Sequence, residues 1–314
     1  MKSSLVSFPS PKYDLALRGL IAATFTPLRV DRSVDLDRIA PLVELVLGQG
    51  ANGLYVLGST GEGPSLTTAE RKQTAESFVA AAKRRVPVVI QVGHASIAES
   101  RGLAAHAQEI RADAISATPP SYFKPENMGV LVASMAEIAA AAPKLPFYYY
   151  NLPSVTGVRF DMSEFLAQAG AVIPTLHGIK FSDAQIHEMQ ACVECDHGRY
   201  DILFGHDEML LSGYVAGARG FVGTTFNFAA PIFRRVIGAC ETGDLSTAAA
   251  EQRRAARMIE AIIRRAGRGG LKAVMEMIGC DCGPNRLPIV TCPPEARTRL
   301  RTELSDLGFF EWLK

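Results

Sequence analysis

The sequence has neither an excess of charge of one sign nor a long apolar run. Its 314 residues include 33 basic and 32 acidic side chains, so the formal net charge is +1. This balance predicts neither a nucleic acid nor an anionic membrane surface as a partner. No apolar run approaches the roughly 18 residues of a membrane span, and residues 1–18 lack the apolar core of a signal peptide. We therefore expect a cytoplasmic protein.

The cysteines also lack the spacing of a disulfide framework. They are Cys192, Cys195, Cys240, Cys280, Cys282 and Cys292. In a chain of this length such scattered positions predict free thiols. Cys192 and Cys195 precede His197 closely, but no second half-site at zinc spacing accompanies them. We expect no metal and no organic cofactor.

Eight short runs rich in Val, Ile, Phe and Tyr recur along the chain. None alternates strictly between apolar and polar residues, which is typical of strands that are buried on both faces. The runs are Ile21–Leu28, Gly53–Ser59, Val86–Gly93, Ala114–Pro120, Pro146–Pro153, Leu176–Ser182, Tyr200–Asp207 and Gly220–Thr225.

Segments with the period of an amphipathic helix separate these runs. One apolar face begins at Leu36, and Thr67 and Glu70 form a capping box before another helix. Ser182 and Asp183 are N-cap residue types, followed by helical spacing from Ile186. Strands that alternate with helices predict a parallel sheet, and eight such units within about 200 residues predict an α/β fold, the (β/α)8 TIM barrel.

The pattern changes after residue 225, where helical segments follow one another without further strands. We expect helices over Pro231–Cys240, Asp244–Ala266, Gly270–Ile278 and Glu295–Leu307. The predicted organisation is a flexible N-terminal segment over 1–18, a barrel carrying the active site over 19–230 and a C-terminal helical extension over 231–314. The arginines of 253–268 predict a solvated helix face or a subunit contact.

Chemistry-bearing residues stand at the ends of several strands, where this fold places its active sites. Lys180 ends an apolar run, and a lysine is seldom buried without a function. A desolvated lysine loses its proton more readily, so Lys180 is a candidate nucleophile for a carbonyl substrate. The alternative is a lysine that extends from the strand end to solvent.

Three other strand ends carry matching polar groups. The glycine-rich turn at Gly58–Gly63 offers backbone N–H groups with Ser59 and Thr60 for a carboxylate. Tyr150 shares one strand face with Tyr148 and offers a phenol for proton transfer. The run Gly205–Glu208 favours hydroxyl binding through two carboxylates; the alternative is Asp207 as an N-cap. Together with a hydroxyl at Thr224, these groups predict Schiff-base chemistry on a 2-oxo acid.

These motifs resemble, in order along the chain, the N-acetylneuraminate lyase / dihydrodipicolinate synthase family of class I aldolases. The resemblance spans about Gly19 to Asn227 and rests on Gly58–Glu62, Tyr150–Pro153, Gly178–Lys180 and Gly205–Glu208. It implies a (β/α)8 barrel that forms a pyruvate imine on a lysine. It also implies a homotetramer built as a dimer of dimers.

The resemblance assigns roles to individual residues of this chain. Lys180 resembles the Schiff-base lysine and Tyr150 the proton relay. Ser59 and Thr60 resemble the pair that holds the pyruvate carboxylate and links to that tyrosine. Tyr122 resembles a loop tyrosine offered to a neighbouring subunit. The match further implies substrate hydroxyl binding by Ser182, Gly205, Asp207, Glu208 and Thr224.

One position favours the lyase branch of this family. Dihydrodipicolinate synthases carry an arginine shortly after the tyrosine motif, and Val155 occupies the matching position here. Without a guanidinium an acidic aldehyde loses a bidentate partner. The resemblance therefore implies cleavage of N-acetylneuraminate to pyruvate and N-acetylmannosamine. The alternatives are a 2-keto-3-deoxy sugar acid aldolase or dehydratase, dihydrodipicolinate synthase, and a silent barrel that binds 2-oxo acids.

Overall fold

Eight parallel strands close into a barrel in the computed structural model, which describes residues 15–313. The prediction of a (β/α)8 barrel is confirmed. The strands run shorter than the apolar runs that predicted them, because the C-terminal residues of each run form the turns above the barrel. The strands are β1 Gly19–Ala23, β2 Gly53–Val56, β3 Val88–Gln91, β4 Ala114–Ala117, β5 Phe147–Asn151, β6 Leu176–Phe181, β7 Asp201–Phe204 and β8 Gly220–Gly223.

Helices follow the strands and then continue alone. The first nine are α1 Ile39–Gly48, α2 Thr68–Ala82, α3 Ile97–Glu109, α4 Met128–Ala140, α5 Pro153–Thr156, α6 Met162–Val172, α7 Ile186–Glu194, α8 Leu210–Val215 and α9 Ala230–Glu241. The last four are α10 Leu245–Ala266, α11 Gly269–Met277, α12 Pro294–Asp306 and α13 Phe309–Trp312. None of the helices in 15–313 is long and apolar enough to cross a bilayer.

Of the two predicted helix starts, the structure confirms the one before α2 and contradicts the one before α7. The capping box is confirmed, because the Thr67 hydroxyl accepts from the Glu70 amide while the Glu70 carboxylate accepts from the Thr67 amide. The predicted capping by Ser182 and Asp183 is wrong. Helix α7 begins at Ile186 after Gln185, because the chain first crosses the barrel rim, where the Asp183 carboxylate pairs with Arg159 at 2.8 Å.

Strand β5 shows how the barrel sorts its side chains. Tyr148 and Tyr150 belong to the small cluster inside the barrel, whereas Tyr149 faces outward and packs on Phe165 of α6 with ring centroids 4.5 Å apart. The predicted common face of Tyr148 and Tyr150 is confirmed, since neighbouring residues of a strand point to opposite sides. The interior thus carries two phenols at different heights.

The C-terminal helices pack against the barrel rather than apart from it. Helix α9 contacts both β1 and α10, and α10 contacts the short turn that begins at Asp207. Residues 1–14 of the predicted N-terminal segment lie outside the described residues. Leu17 is buried at the start of the described chain, and its amide donates to Asp201 at 3.2 Å. The three-part division of the chain stays a prediction.

Candidate active site

Lys180 lies inside the barrel near the C-terminal end of β6. Its side chain is 4% exposed. The Lys180 Nζ atom lies 3.9 Å from the ring centroid of Tyr150 and 4.0 Å from that of Tyr55. The two rings meet edge to face with their centroids 5.7 Å apart. They therefore enclose the amine between aromatic faces that stabilise a positive charge at this nitrogen.

The two tyrosines differ in how their hydroxyls are satisfied. The Tyr55 hydroxyl donates to Ser116 Oγ at 3.0 Å, and burial raises the pKa of Tyr55 well above its ordinary value. The Tyr150 hydroxyl makes no hydrogen bond to any group within residues 15–313, and Tyr150 lines the cavity above the lysine. Tyr150 is therefore the phenol available to a substrate, while Tyr55 supports the lysine.

Ser59 and Thr60 lie on a turn after β2 that is strained at both ends. Leu57 and Glu62 adopt left-handed backbone conformations with φ of 66° and 55°, which cost free energy in residues with a Cβ atom. The Glu62 amide donates to the Ser59 carbonyl at 3.3 Å. This turn holds both hydroxyl side chains at the cavity wall.

A buried ion pair fixes the far end of that turn. The Glu62 carboxylate lies 2.8 Å from Lys272 Nζ of α11, and both side chains are at most 3% exposed. Glu62 also accepts from the Asn285 side chain at 2.9 Å and from the Arg286 amide at 2.8 Å. A buried charge that loses its partner costs about 3–5 kcal/mol. The C-terminal region is thus tied to the turn that carries Ser59 and Thr60.

Thr60 and Thr224 join the turns that follow β2 and β8. Their Oγ1 atoms lie 2.6 Å apart, and either hydroxyl can donate. The resemblance implied a link from the Ser59–Thr60 pair to Tyr150. In the part of the chain described here, Thr60 instead bonds to Thr224 and no such link is formed. Both threonines line the cavity.

Asp207 is buried at the end of β7 and does not cap a helix. Its Oδ2 atom accepts from the Thr225 amide at 2.7 Å and from the Thr225 hydroxyl at 2.6 Å. Burial raises the pKa of Asp207 to about 6, against the lowering effect of the two Thr225 hydrogen bonds. Its carboxyl group can therefore change charge close to neutral pH.

Glu208 is more exposed and has a different partner. The His206 Nδ1 atom lies 3.3 Å from Glu208 Oε1. This hydrogen bond lowers the pKa of Glu208 and raises the pKa of His206. Glu208 is therefore ionised at neutral pH, and both residues line the cavity beside Asp207.

Ser182 lies next to Gly205 at the neighbouring ends of β6 and β7. A Cβ atom on Gly205 would lie only 1.9 Å from Ser182 Oγ, so a larger residue at 205 would displace the serine. The Ser182 hydroxyl is buried and has no hydrogen-bond partner within residues 15–313. An unsatisfied buried hydroxyl is unusual and fits a group that awaits a ligand.

A cavity of about 320 Å³ opens above these groups. The predicted site residues on its wall are Ser59, Thr60, Tyr150, Gly205, Asp207, Glu208 and Thr224. Lys180 lies under the ring of Tyr150, and Ser182 lies behind Gly205. Tyr122 is away from this wall, with its ring 82% exposed and edge to face with Phe123.

Sequence reasoning missed one side of the cavity. The C-terminal region supplies Ile259, Ile263, Arg268, Leu271, Asn285 and Ile289 to the wall. The spacing of Ile259 and Ile263 signals a shared helix face, but nothing in the sequence says which surface that face meets. Tyr55 was also missed, because it stands within an apolar run with no distinguishing neighbour.

The chain matches the model of the dihydrodipicolinate synthetase family over residues 16–307. It is 40% identical to the N-acetylneuraminate lyase of Mus musculus over 309 residues, covering 97% of this chain and 95% of that protein. It is 39% identical to the N-acetylneuraminate lyase of Rattus norvegicus over 312 residues, which cover 98% and 96% of the two chains.

Solved structures of bacterial proteins share the fold. N-acetylneuraminate lyase from Proteus mirabilis superposes with a TM-score of 0.91 at 35% identity, covering 94% of this chain and all of that chain. The lyase from Aliivibrio salmonicida, also described as sialic acid aldolase, gives 0.91 at 34% identity, covering 94% and 98%. With a match over nearly its whole length, this chain belongs to the dihydrodipicolinate synthetase family.

Proposed function

We propose that this protein is a class I aldolase that cleaves N-acetylneuraminate to pyruvate and N-acetylmannosamine. The observation that carries this proposal is the amine of Lys180, buried between the rings of Tyr55 and Tyr150, of which Tyr150 lines the cavity. The similarity to N-acetylneuraminate lyases supports the choice of substrate.

In this mechanism the amine of Lys180 attacks the C2 ketone of the open-chain substrate. Tyr150 gives its phenol proton to the departing hydroxyl, so that loss of water leaves a protonated imine and a Tyr150 phenolate. The C4 hydroxyl then gives its proton to Tyr150. The C3–C4 bond breaks, its electron pair passes into the imine to form an enamine, and the aldehyde leaves. Protonation of the enamine at C3 restores the imine. Water then releases pyruvate and the free lysine.

The barrel supplies side chains suited to the central steps. The protonated imine places a positive charge at a nitrogen that is already flanked by the faces of Tyr55 and Tyr150, so the electron sink is stabilised as it forms. Tyr150 lines the cavity with its ring over the same nitrogen, and its hydroxyl makes no hydrogen bond within residues 15–313, which suits a residue that takes and returns one proton.

The remaining polar residues hold the substrate along its length. We assign the pyruvate carboxylate to Ser59 and Thr60, whose turn is fixed by the Glu62–Lys272 ion pair. We assign hydroxyls near the cleaved bond to Ser182 and Thr224, and the distal hydroxyls to Asp207 and Glu208. Gly205 leaves the space that the Ser182 hydroxyl occupies, and so keeps that hydroxyl in place.

Two further observations support other parts of the proposal. Tyr122 and Phe123 are 82% and 83% exposed at a loop tip, and exposed aromatic pairs favour burial against another chain. We therefore assign this tip to a subunit contact of a homotetramer, a dimer of dimers. All six cysteines are free thiols, which is typical of a reducing compartment, and we assign the protein to the cytoplasm.

Borohydride trapping tests the chemistry. The protein is incubated with pyruvate or with N-acetylneuraminate, reduced, and mapped by peptide mass spectrometry. We expect a pyruvate-sized adduct on Lys180 from both compounds. Lys180→Ala should give no adduct and lose at least ~1,000-fold in turnover, while exposed Lys144→Ala serves as the matched control.

The pattern of adducts separates the parts of the proposal. An adduct from pyruvate alone would preserve the imine and reject N-acetylneuraminate as substrate. Full activity in a folded Lys180→Ala protein, checked by circular dichroism, would reject the mechanism.

A further inference from the structure

The wall supplied by the C-terminal helices differs chemically from the wall supplied by the strand ends. Ile259, Ile263, Leu271 and Ile289 make it largely apolar. Arg268 stands among them and is the single lysine or arginine on the cavity wall as formed by residues 15–313. A positive group beside apolar walls acts more strongly on an anion than it would in open solvent.

The guanidinium of Arg268 has no acidic partner within the described chain, whereas the acidic groups on the wall all have partners of their own. Glu62 pairs with Lys272 at 2.8 Å. Asp207 accepts two hydrogen bonds from Thr225, and Glu208 lies 3.3 Å from His206. The donors of Arg268 are therefore free for a ligand.

The backbone positions Arg268 between two glycines, one with a left-handed conformation and one that is closely packed. Gly267 has φ 55° and ψ −154°, a conformation that side chains strongly disfavour. A Cβ atom on Gly269 would lie 2.1 Å from the Val290 carbonyl oxygen, so the chain passes too close there for a larger residue. The backbone position of Arg268 is thus set by the connection between α10 and α11.

The exposed fraction of each site residue increases from the bottom of the cavity to its opening. Lys180 and Tyr150 are each 4% exposed, Asp207 is 8% exposed, and Glu208 and Arg268 are exposed. A substrate whose C2 carbon is bonded to Lys180 therefore extends its far end toward Glu208 and Arg268. A guanidinium recognises carboxylate and phosphate groups by paired hydrogen bonds.

We propose that Arg268 is a specificity-determining residue that binds an anionic group on the terminal carbon of the sugar chain. The shared chemistry is a phosphate ester or a carboxylate at the carbon farthest from the imine. This inference rests on the proposed aldolase function. It adds a class of substrate, terminally anionic sugar acids and the aldehydes from which they form.

The test compares three aldehydes in condensation with pyruvate. They are N-acetylmannosamine, its 6-phosphate and N-acetylmannosaminuronate, the last carrying a carboxylate at C6. In the unaltered protein we expect a higher kcat/KM for at least one anionic aldehyde than for N-acetylmannosamine. Arg268→Gln should lower kcat/KM for that aldehyde about tenfold to a hundredfold, the range of a charge-assisted hydrogen bond. The same variant should change kcat/KM for N-acetylmannosamine less than about threefold.

Two further variants make the comparison specific. Arg268→Lys keeps the charge without the fork of donors and should recover part of the loss. Arg253→Gln removes an exposed arginine of the neighbouring helix α10 that lies off the cavity wall, and it should behave like the unaltered protein. The phosphate and carboxylate arms show which anion the site prefers.

Other outcomes would overturn the inference. Equal losses for charged and uncharged aldehydes, or no loss for any, would leave Arg268 without a role in specificity. Poor use of both anionic aldehydes by the unaltered protein would do the same. Borohydride trapping of pyruvate on Lys180 in each variant keeps this test separate from the proposed chemistry, because failure to trap would strike the aldolase mechanism instead.

Discussion

The two inward-facing tyrosines of β5 have opposite surroundings. Tyr148, near the N-terminal end of the barrel, donates to Asp201 at 2.9 Å. Asp201 also accepts from Arg18 at 2.6 Å and from the Leu17 amide at 3.2 Å. The hydroxyl of Tyr150, two residues later, makes no hydrogen bond within 15–313, and its ring lies over Lys180. One phenol is fully used by the fold, and the other is left free.

The contrast extends to the whole of each barrel end. At the N-terminal end the polar groups satisfy one another, and the His177 ring packs on Tyr148 with centroids 5.3 Å apart. At the C-terminal end Ser182 is buried without a partner and Asp207 is buried as a carboxyl. Unsatisfied polar groups cost stability. The unpartnered Ser182 hydroxyl and the free Tyr150 hydroxyl at this end are groups that a ligand can complete, and active sites of this fold lie at the C-terminal end of the barrel.

Tyr150→Phe tests the functional end and should have a larger effect than Tyr148→Phe or Asp207→Asn. Removing the hydroxyl should lower kcat for N-acetylneuraminate cleavage about a hundredfold to ten-thousandfold, the usual contribution of a proton-transfer group. The ring over Lys180 remains, so pyruvate binding should change little. Steady-state kinetics and pyruvate titration measure the two quantities separately. Equal effects on both would mean that Tyr150 serves packing alone.

Tyr148→Phe tests the structural end and should lower stability rather than activity. The change removes one of the donors to the buried Asp201 carboxylate and should cost about 1–3 kcal/mol of unfolding free energy. Urea unfolding measures this as a lower midpoint at unchanged slope. Tyr149→Phe is the matched control, since its hydroxyl makes no hydrogen bond within residues 15–313. A Tyr148→Phe protein as stable as this control would contradict the comparison.

Much of this contrast could be predicted from the sequence, because strands impose a simple rule on their side chains. Alternation placed Tyr148 and Tyr150 on one face, and the eight apolar runs gave the barrel. The ends of those runs then identified the site, since parallel strands present their C-terminal ends to one side. Motifs that are weak alone became specific through their order along the chain.

The hydrogen-bond partners of the tyrosines and the C-terminal wall of the cavity could not be predicted, because they depend on contacts between residues far apart in the sequence. Whether a buried tyrosine finds a partner depends on the height of the neighbouring strand, as with Tyr148 and Asp201. The C-terminal wall depends on how α10 and α11 dock, and the amphipathic spacing of Ile259 and Ile263 does not specify the docking surface. Ser182 was assigned both as a helix cap and, by resemblance, as a ligand to substrate hydroxyls. Capping residue types alone cannot separate these roles, because both use the same hydroxyl.

The pH dependence of kcat/KM for cleavage is the third test of the contrast between the two ends. Burial raises the pKa of Asp207 to about 6 from an ordinary 3.8. As pH falls through 6, Asp207 gains a proton and can no longer accept a substrate hydroxyl as a carboxylate. We expect kcat/KM for cleavage to fall up to tenfold per pH unit below about pH 6. Asp207→Asn should remove this dependence.

The same titration has the opposite sign for stability. Between pH 4 and 6 the folded protein holds a proton on Asp207 that the unfolded chain has lost, so this group's contribution to stability falls as pH rises through that window. The pKa of Glu208 is lowered by its hydrogen bond to His206, and the charge of Glu208 contributes to the raised pKa of Asp207. Glu208→Gln should therefore retain the fall in kcat/KM and move it to lower pH. If the fall in kcat/KM disappeared in Glu208→Gln but persisted in Asp207→Asn, the titrating group would be Glu208 and not Asp207.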